Sequence, residues 1–179
     1  VMEALLERGL RVKSIELEYM REIPRKIREL NWNITVVTHN EDIIHIDSDT
    51  NLLGFAVDLG TTKLAGYLVD LETGKTVAKT SLLNPQTSYG ADIMTRISQI
   101  MRDSTNLTLM RNVLIKAVNL MIEETCREAG VSPKEVYEVV AVGNTFMHHI
   151  FVGLDLRFLA LAPYPPVIKR SLTLKASEI

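Results

Sequence analysis

The stretch GFAVDLGTTKLAGYLVDLETGK, residues 54–75, decides how the chain reads. An apolar run stops at a single aspartate, Asp58, turns through one glycine and two threonines, and resumes as an alternating segment. LLGFAVDL is continuous enough in apolar residues to suggest a strand buried on both faces. KLAGYLVDL then reads as a second strand, ETGK as a hairpin turn and TVAKTSLLN as a third strand. Three strands joined by short connections form an antiparallel meander.

The turn between the first two strands carries the chemistry. Gly60 permits a positive φ or a close backbone approach. Successive amides in such a turn form a concave nest for an anion, and Thr61 and Thr62 add hydroxyl donors beside them. Asp58 leaves the end of a strand expected to be buried. A carboxylate there needs a partner, and a hydrated Mg²⁺ bridging to phosphate is a natural one. Lys63 follows the turn and can neutralise charge, although alternation can also point it to solvent. An ordinary hairpin with Asp-x-Gly turn chemistry is the alternative. The apolar strand before the turn and the paired threonines favour the anion reading. ETGKT looks like the end of a Walker A loop, but Val69 stands where that motif needs glycine, and the segment joins two strands.

Outward from this core, residues 1–8 read as a short helix closed by Gly9. SIELEY alternates Ile15, Leu17 and Tyr19 against charge, as a half-buried strand does. MREIPRKIREL is helical, with Pro24 expected near the first turn. WNITVV and DIIHID read as two more strands. Together they make a small α/β domain over residues 1–50, ending in the polar DSDTN. After the meander come two helices. DIMTRISQIM puts Ile93, Ile97, Ile100 and Met101 on one face. Residues 107–129 keep helical spacing at Met110, Val113, Leu114, Ala117, Val118, Met121 and Cys126, and Gly130 ends that helix. Ser132 to Glu135 form a capping box. VYEVVAV reads as a buried strand that runs into GNTFMHHIF, a strand-to-helix turn. The order β-β-β-α-α-β-α predicts a mixed sheet covered by helices over residues 51–179.

The bulk numbers exclude several classes. The 179 residues are 46% hydrophobic and 23% charged, an ordinary globular composition. A net charge of −2 gives no general attraction to nucleic acid or to anionic membrane, so any anion site must be local. No apolar run reaches the roughly 18 residues a membrane span requires, and the first residues do not form a signal peptide. The expectation is a cytoplasmic protein. One cysteine, Cys126, cannot form an internal disulfide or hold an iron–sulfur cluster alone. His148 and His149 are adjacent on a helix and point about 100° apart, a poor chelating pair. One is expected to be packed and hydrogen-bonded, the other turned to cleft or solvent.

At this point a family comes into view. The stretch 54–75 resembles the first phosphate motif of the acetate and sugar kinase, Hsp70 and actin superfamily. NPQTSYGADIMTRI and VGNTFMHHIFVGLD are more particular, and the three motifs in this order resemble the reductive activators of corrinoid proteins. REIPRKIRELNW resembles the small middle domain of the same proteins. The resemblance implies a ribonuclease-H-like, actin-like ATPase first lobe preceded by a small α/β domain. It implies ATP and Mg²⁺ as ligands, with Asp58 as the catalytic residue orienting Mg²⁺ through water. Gly60, Thr61, Thr62 and Lys63 would line the phosphates, joined by Gly143, Asn144 and Thr145 from the second turn. Asn84, Gln86, Tyr89, Gly90 and Asp92 form a polar loop that either caps the next helix or meets the ligand.

Such activators use ATP to drive electron transfer from a [2Fe–2S] domain to an oxidised corrinoid protein, returning cobalt to its low-valent state. This chain lacks the four cluster cysteines and has no room for a second lobe after Ile168. The expectation is therefore a fragment with half a nucleotide site, inactive alone, whose partner is a corrinoid protein. Lys63 stands where family members usually carry a third threonine. Two other readings remain open: a sugar or carboxylic-acid kinase of the same superfamily, and a non-catalytic assembly module. The sequence also leaves open whether the protein is a monomer or a homodimer paired through an exposed sheet edge.

Overall fold

The computed structural model describes residues 1–179 apart from Glu16, and the side chains of those residues apart from Glu18. Two compact units emerge, Val1–Leu52 and Leu53–Ile179.

In the first unit the described elements are helix α1 (Met2–Glu7), strand β1 (Ser14–Ile15), helix α2 (Leu17–Glu29) and strands β2 (Thr35–His39) and β3 (Asp42–Asp47). The strands form a mixed sheet in the order β1-β3-β2, parallel between β1 and β3 and antiparallel between β3 and β2. Asn40 and Glu41 make the hairpin with positive φ at both residues, the twist that a two-residue loop needs. Ile27 of α2, Val37 of β2 and Ile43 and Ile46 of β3 are the buried hydrophobic residues described in this unit. The sequence reading differs here in three places. The alternation at Ile15, Leu17 and Tyr19 is not one strand: Leu17 and Tyr19 belong to α2, and Glu16 lies outside the described residues. Pro24 sits in the middle of α2 rather than in its first turn. Trp32 precedes β2 in a left-handed turn and is exposed. At Leu17 and Tyr19 an amphipathic helix overrides a short alternating pattern.

The second unit begins with strands β4 (Leu53–Leu59), β5 (Lys63–Asp70) and β6 (Thr76–Leu83). A 3₁₀ turn (Pro85–Tyr89) leads to helices α3 (Ile93–Arg102) and α4 (Thr105–Ala129). A second 3₁₀ turn, Pro133–Glu135, with the capping box expected at Ser132 and Glu135, opens into strand β7 (Val136–Gly143), and helix α5 (Thr145–Val152) follows. The sheet order is β6-β5-β4-β7, antiparallel within the meander and parallel between β4 and β7. This is the expected mixed sheet, the core of a ribonuclease-H-like, actin-like first lobe.

The helices stack on one face of that sheet. Phe55, Val57 and Leu59 of β4 and Leu64 and Leu68 of β5 are buried with Met110, Leu114 and Met121 of α4 and Met147 and Ile150 of α5. Gly66 is required by this packing, because a β-carbon there would collide with the Phe55 ring and the Met121 methyl. The other face shows Asp58, Tyr67, Val140 and Val142 exposed. Two expectations are corrected by this arrangement. β4 is covered on one face only, so Asp58 is exposed rather than buried. β7 is not a buried strand: among the described residues it pairs with β4 alone, and from Glu138 to Gly143 every residue is exposed.

Candidate functional site

Register brings the candidate residues to one end of the second sheet. Leu59 pairs with Leu64 across the first turn and lies beside Gly143 in the parallel pair. Lys63 pairs with Leu83. The turn 60–62, the start of the loop at Asn84 and the turn at 143–145 therefore meet at the same edge. A direct bond ties them, since Asn144 Nδ2 donates to Thr61 Oγ1 over 3.0 Å. Asn144 also caps α5, accepting from the Met147 amide over 3.0 Å.

The loop side of the turn is fully engaged. Asn84 Nδ2 donates to the Gly60 carbonyl over 2.8 Å. Arg96 Nη2 donates to the Thr61 carbonyl over 2.7 Å. The Asn84 amide donates to the Thr62 carbonyl over 2.8 Å. Three consecutive carbonyls thus point toward the loop and α3. In a planar trans peptide the N–H points opposite to the C=O, so the amides of Thr61, Thr62 and Lys63 face the other way. Among the described residues no protein acceptor meets the amide of Thr61 or Thr62. Gly60 is needed for close approach rather than for a left-handed backbone, because a β-carbon would collide with the Lys63 carbonyl oxygen.

Behind the turn the polar loop is built as a cap. Asn84 accepts from the Gln86 amide over 2.9 Å, and Asp92 accepts from the Thr95 amide over 2.8 Å at the start of α3. Asn84 and Gln86 are buried, and Gln86 Nε2 donates to the Met110 carbonyl over 3.1 Å. Bonds from the Thr95 amide and hydroxyl hold the Asp92 carboxyl below its usual range. Sequence reasoning left this loop between capping and ligand contact, and its bonds are those of a cap. It missed Arg96, which is fully buried and braces the turn. The signal was present: Arg96 sits between Ile93, Ile97 and Ile100 on the apolar side of α3, where a cation is out of place.

Asp58 stands on the uncovered face, opposite Ala65 and Val142, with its carboxylate open to solvent. Lys63, Asn144 and Thr145 are also exposed. A cavity of about 300 Å³ opens beside the second turn, lined in part by Leu59, Gly143, Thr145, His148, Lys169 and Arg170. Asp58 and residues 60–63 do not line it. A larger hollow of about 410 Å³ follows the outer face of α4 and holds none of the candidate residues.

The histidine pair divides as expected. His149 is buried, and its two ring nitrogens are both used: Nδ1 meets the Thr145 carbonyl at 2.7 Å and the Val167 amide donates to Nε2 over 3.0 Å. Those partners fix the neutral tautomer with the proton on Nδ1. Burial pushes the His149 pKa down, against the pull of the Thr145 carbonyl. His148 is half-buried and faces the cavity. Cys126 is fully buried in the α4 core rather than at a surface, and burial pushes its thiol pKa up.

The family model of the RACo middle region matches residues 53–179. The chain belongs to the RACo middle-region family. This RACo-family chain is similar to the corrinoid activation enzyme RamQ of Eubacterium limosum, at 30% identity over 146 residues, 80% of this chain and 25% of that protein. It is also similar, at 30% identity and a TM-score of 0.78, to the solved structure of a reductive activator for corrinoid, iron-sulfur protein. That match covers 92% of this chain and 27% of the other. The RACo-family chain thus spans about a quarter of the length of these relatives, and the resemblance carried by its three motifs holds.

Proposed function

We propose that this chain supplies the phosphate-binding first lobe of an ATP-dependent reductive activator of a corrinoid protein. The observation that carries the proposal is the braced turn: three carbonyls held on one side, the amides of Thr61, Thr62 and Lys63 presented on the other, and Thr61 bonded to the turn that starts α5. Amides so aimed form a preorganised anion cradle. The relatives, an enzyme of corrinoid activation and a reductive activator, support the same reading.

In this reading Gly60, Thr61, Thr62 and Lys63 hold phosphate oxygens, and Gly143, Asn144 and Thr145 border the same ligand. Asp58 fits a metal held through water, since an exposed carboxylate without a partner among the described residues keeps its oxygens hydrated. Bound Mg·ATP would supply a phosphoanhydride whose hydrolysis changes the state of the lobe. That event biases contact with the corrinoid partner only by the difference in nucleotide affinity between the two states. The single, buried Cys126 does not fit an iron–sulfur cluster, so the electron comes from a group outside this chain.

The test is ATP-dependent reduction of cobalt in a corrinoid protein, followed by its visible spectrum, with the complete protein that carries this chain. Asp58→Ala abolishes the ATP-dependent part and, being a surface change, moves stability by less than about 0.5 kcal/mol. An unchanged ATP-driven rate in that variant would sink the proposal.

A further inference from the structure

Arg96 is among the largest fully buried side chains, and it forms no ion pair among the described residues. Its guanidinium donates to three neutral oxygens: the Gly90 carbonyl over 2.9 Å, Gln86 Oε1 over 3.2 Å and the Thr61 carbonyl over 2.7 Å. The charged group nearest to it in electrostatic terms is Asp92, one helical turn earlier, whose carboxylate is occupied by the Thr95 amide and hydroxyl. Neutral acceptors satisfy the hydrogen bonds, and Asp92 offsets the positive charge only through space, without an ion-pair contact to Arg96 among the described residues. A guanidinium stays protonated even when buried. The molecule therefore keeps a full cation directly behind the peptide that joins Thr61 to Thr62.

That peptide couples the cation to the open side of the turn. A donor on the Thr61 carbonyl polarises the peptide and strengthens the opposite N–H, which belongs to Thr62. The planar fork also fixes the rotation of the peptide, because Arg96 is itself anchored at Gln86 and Gly90. We propose that Arg96 is a positioning residue of the phosphate turn, which aims the Thr62 amide and sets the positive potential that selects polyphosphate. The inference rests on the reading of that turn as a nucleotide phosphate site. Arg96 touches no ligand and acts through the backbone.

The test compares ATP and adenosine binding in the complete protein, by competition against a fluorescent ATP analogue, for wild type, Arg96→Gln, Arg96→Lys and Gln86→Glu. Arg96→Gln weakens ATP binding roughly tenfold or more and leaves adenosine binding unchanged. Arg96→Lys restores part of the loss, because it returns the charge without the fork. Gln86→Glu gives up the bond to the Met110 carbonyl but leaves Arg96 in place and offsets its charge, so ATP binding falls again while adenosine binding holds. This variant carries the test if Arg96→Gln does not fold. Equal losses for ATP and adenosine would mark a merely structural residue and overturn the proposal, as would unchanged ATP affinity in Gln86→Glu and the Arg96 variants. A wild-type protein that binds no ATP overturns the phosphate-site reading together with this inference.

Discussion

A β-carbon at Gly60 has nowhere to go except into the Lys63 carbonyl, and relieving that collision means reopening the turn. Gly60→Ala is therefore expected to cost about 1–3 kcal/mol in stability, read as a lower urea midpoint at an unchanged slope. His149 makes a separate prediction through pH. Its pKa is lowered in the folded state, chiefly by burial, so the unfolded chain binds the proton more readily. Stability from this group is complete above the ordinary histidine pKa of about 6.5 and is lost as pH falls through the lower folded value. Thermal melts between pH 7 and pH 5 should show the loss, and His149→Gln should flatten it. The depressed carboxylates do not confuse the result. Asp103 is held low by the Thr105 amide and hydroxyl and Asp155 by Arg157, and both lose their contribution only below about pH 5.

At the scale of elements, α4 shows what periodicity can deliver. Met110, Leu114, Ala117, Val118, Met121 and Cys126 follow the helical repeat and are all buried. Leu114→Ala should cost about 3 kcal/mol, measured by chemical denaturation, since the residue has no exposure and the sheet beneath it leaves little room for collapse. The meander and the turn into α5 were equally legible, because hairpin chemistry and an Asn cap are local signals. Burial was not. The apolar run of β4 reads as covered on both faces and that of β7 as a buried strand, yet Asp58 points to an open face and β7 has one neighbour among the described strands. Composition reports that a strand is able to be buried; its position in the sheet decides whether it is. Three alternating residues at Ile15, Leu17 and Tyr19 are too few to tell a strand from the edge of an amphipathic helix, and α2 starts among them. In the site, the turn and its partner at Asn144 could be found from residue types. The place of Arg96 on the apolar side of α3 is legible, but its bond to the turn is not, because that bond joins positions 35 apart through a backbone carbonyl.

At the scale of the molecule, no described helix is long and apolar enough to cross a membrane. The first sheet ends at Asp47 and the second begins at Leu53, with Ser48 and Asp49 exposed between them. Limited proteolysis should cut in this segment and leave the sheet and helices of the second unit intact, seen as a fragment starting near residue 50. A cleavage pattern beginning inside β4 or β5 would contradict it. The stretch after α5 has another character: it carries little regular structure and is largely exposed, yet the Val167 amide reaches inward to the buried His149 ring. The Val167 main-chain proton should then exchange slowly with deuterium, while those of Ile168 and Lys169 beside it exchange at once. Acidification should erase that protection, because an imidazolium has no lone pair left to receive it.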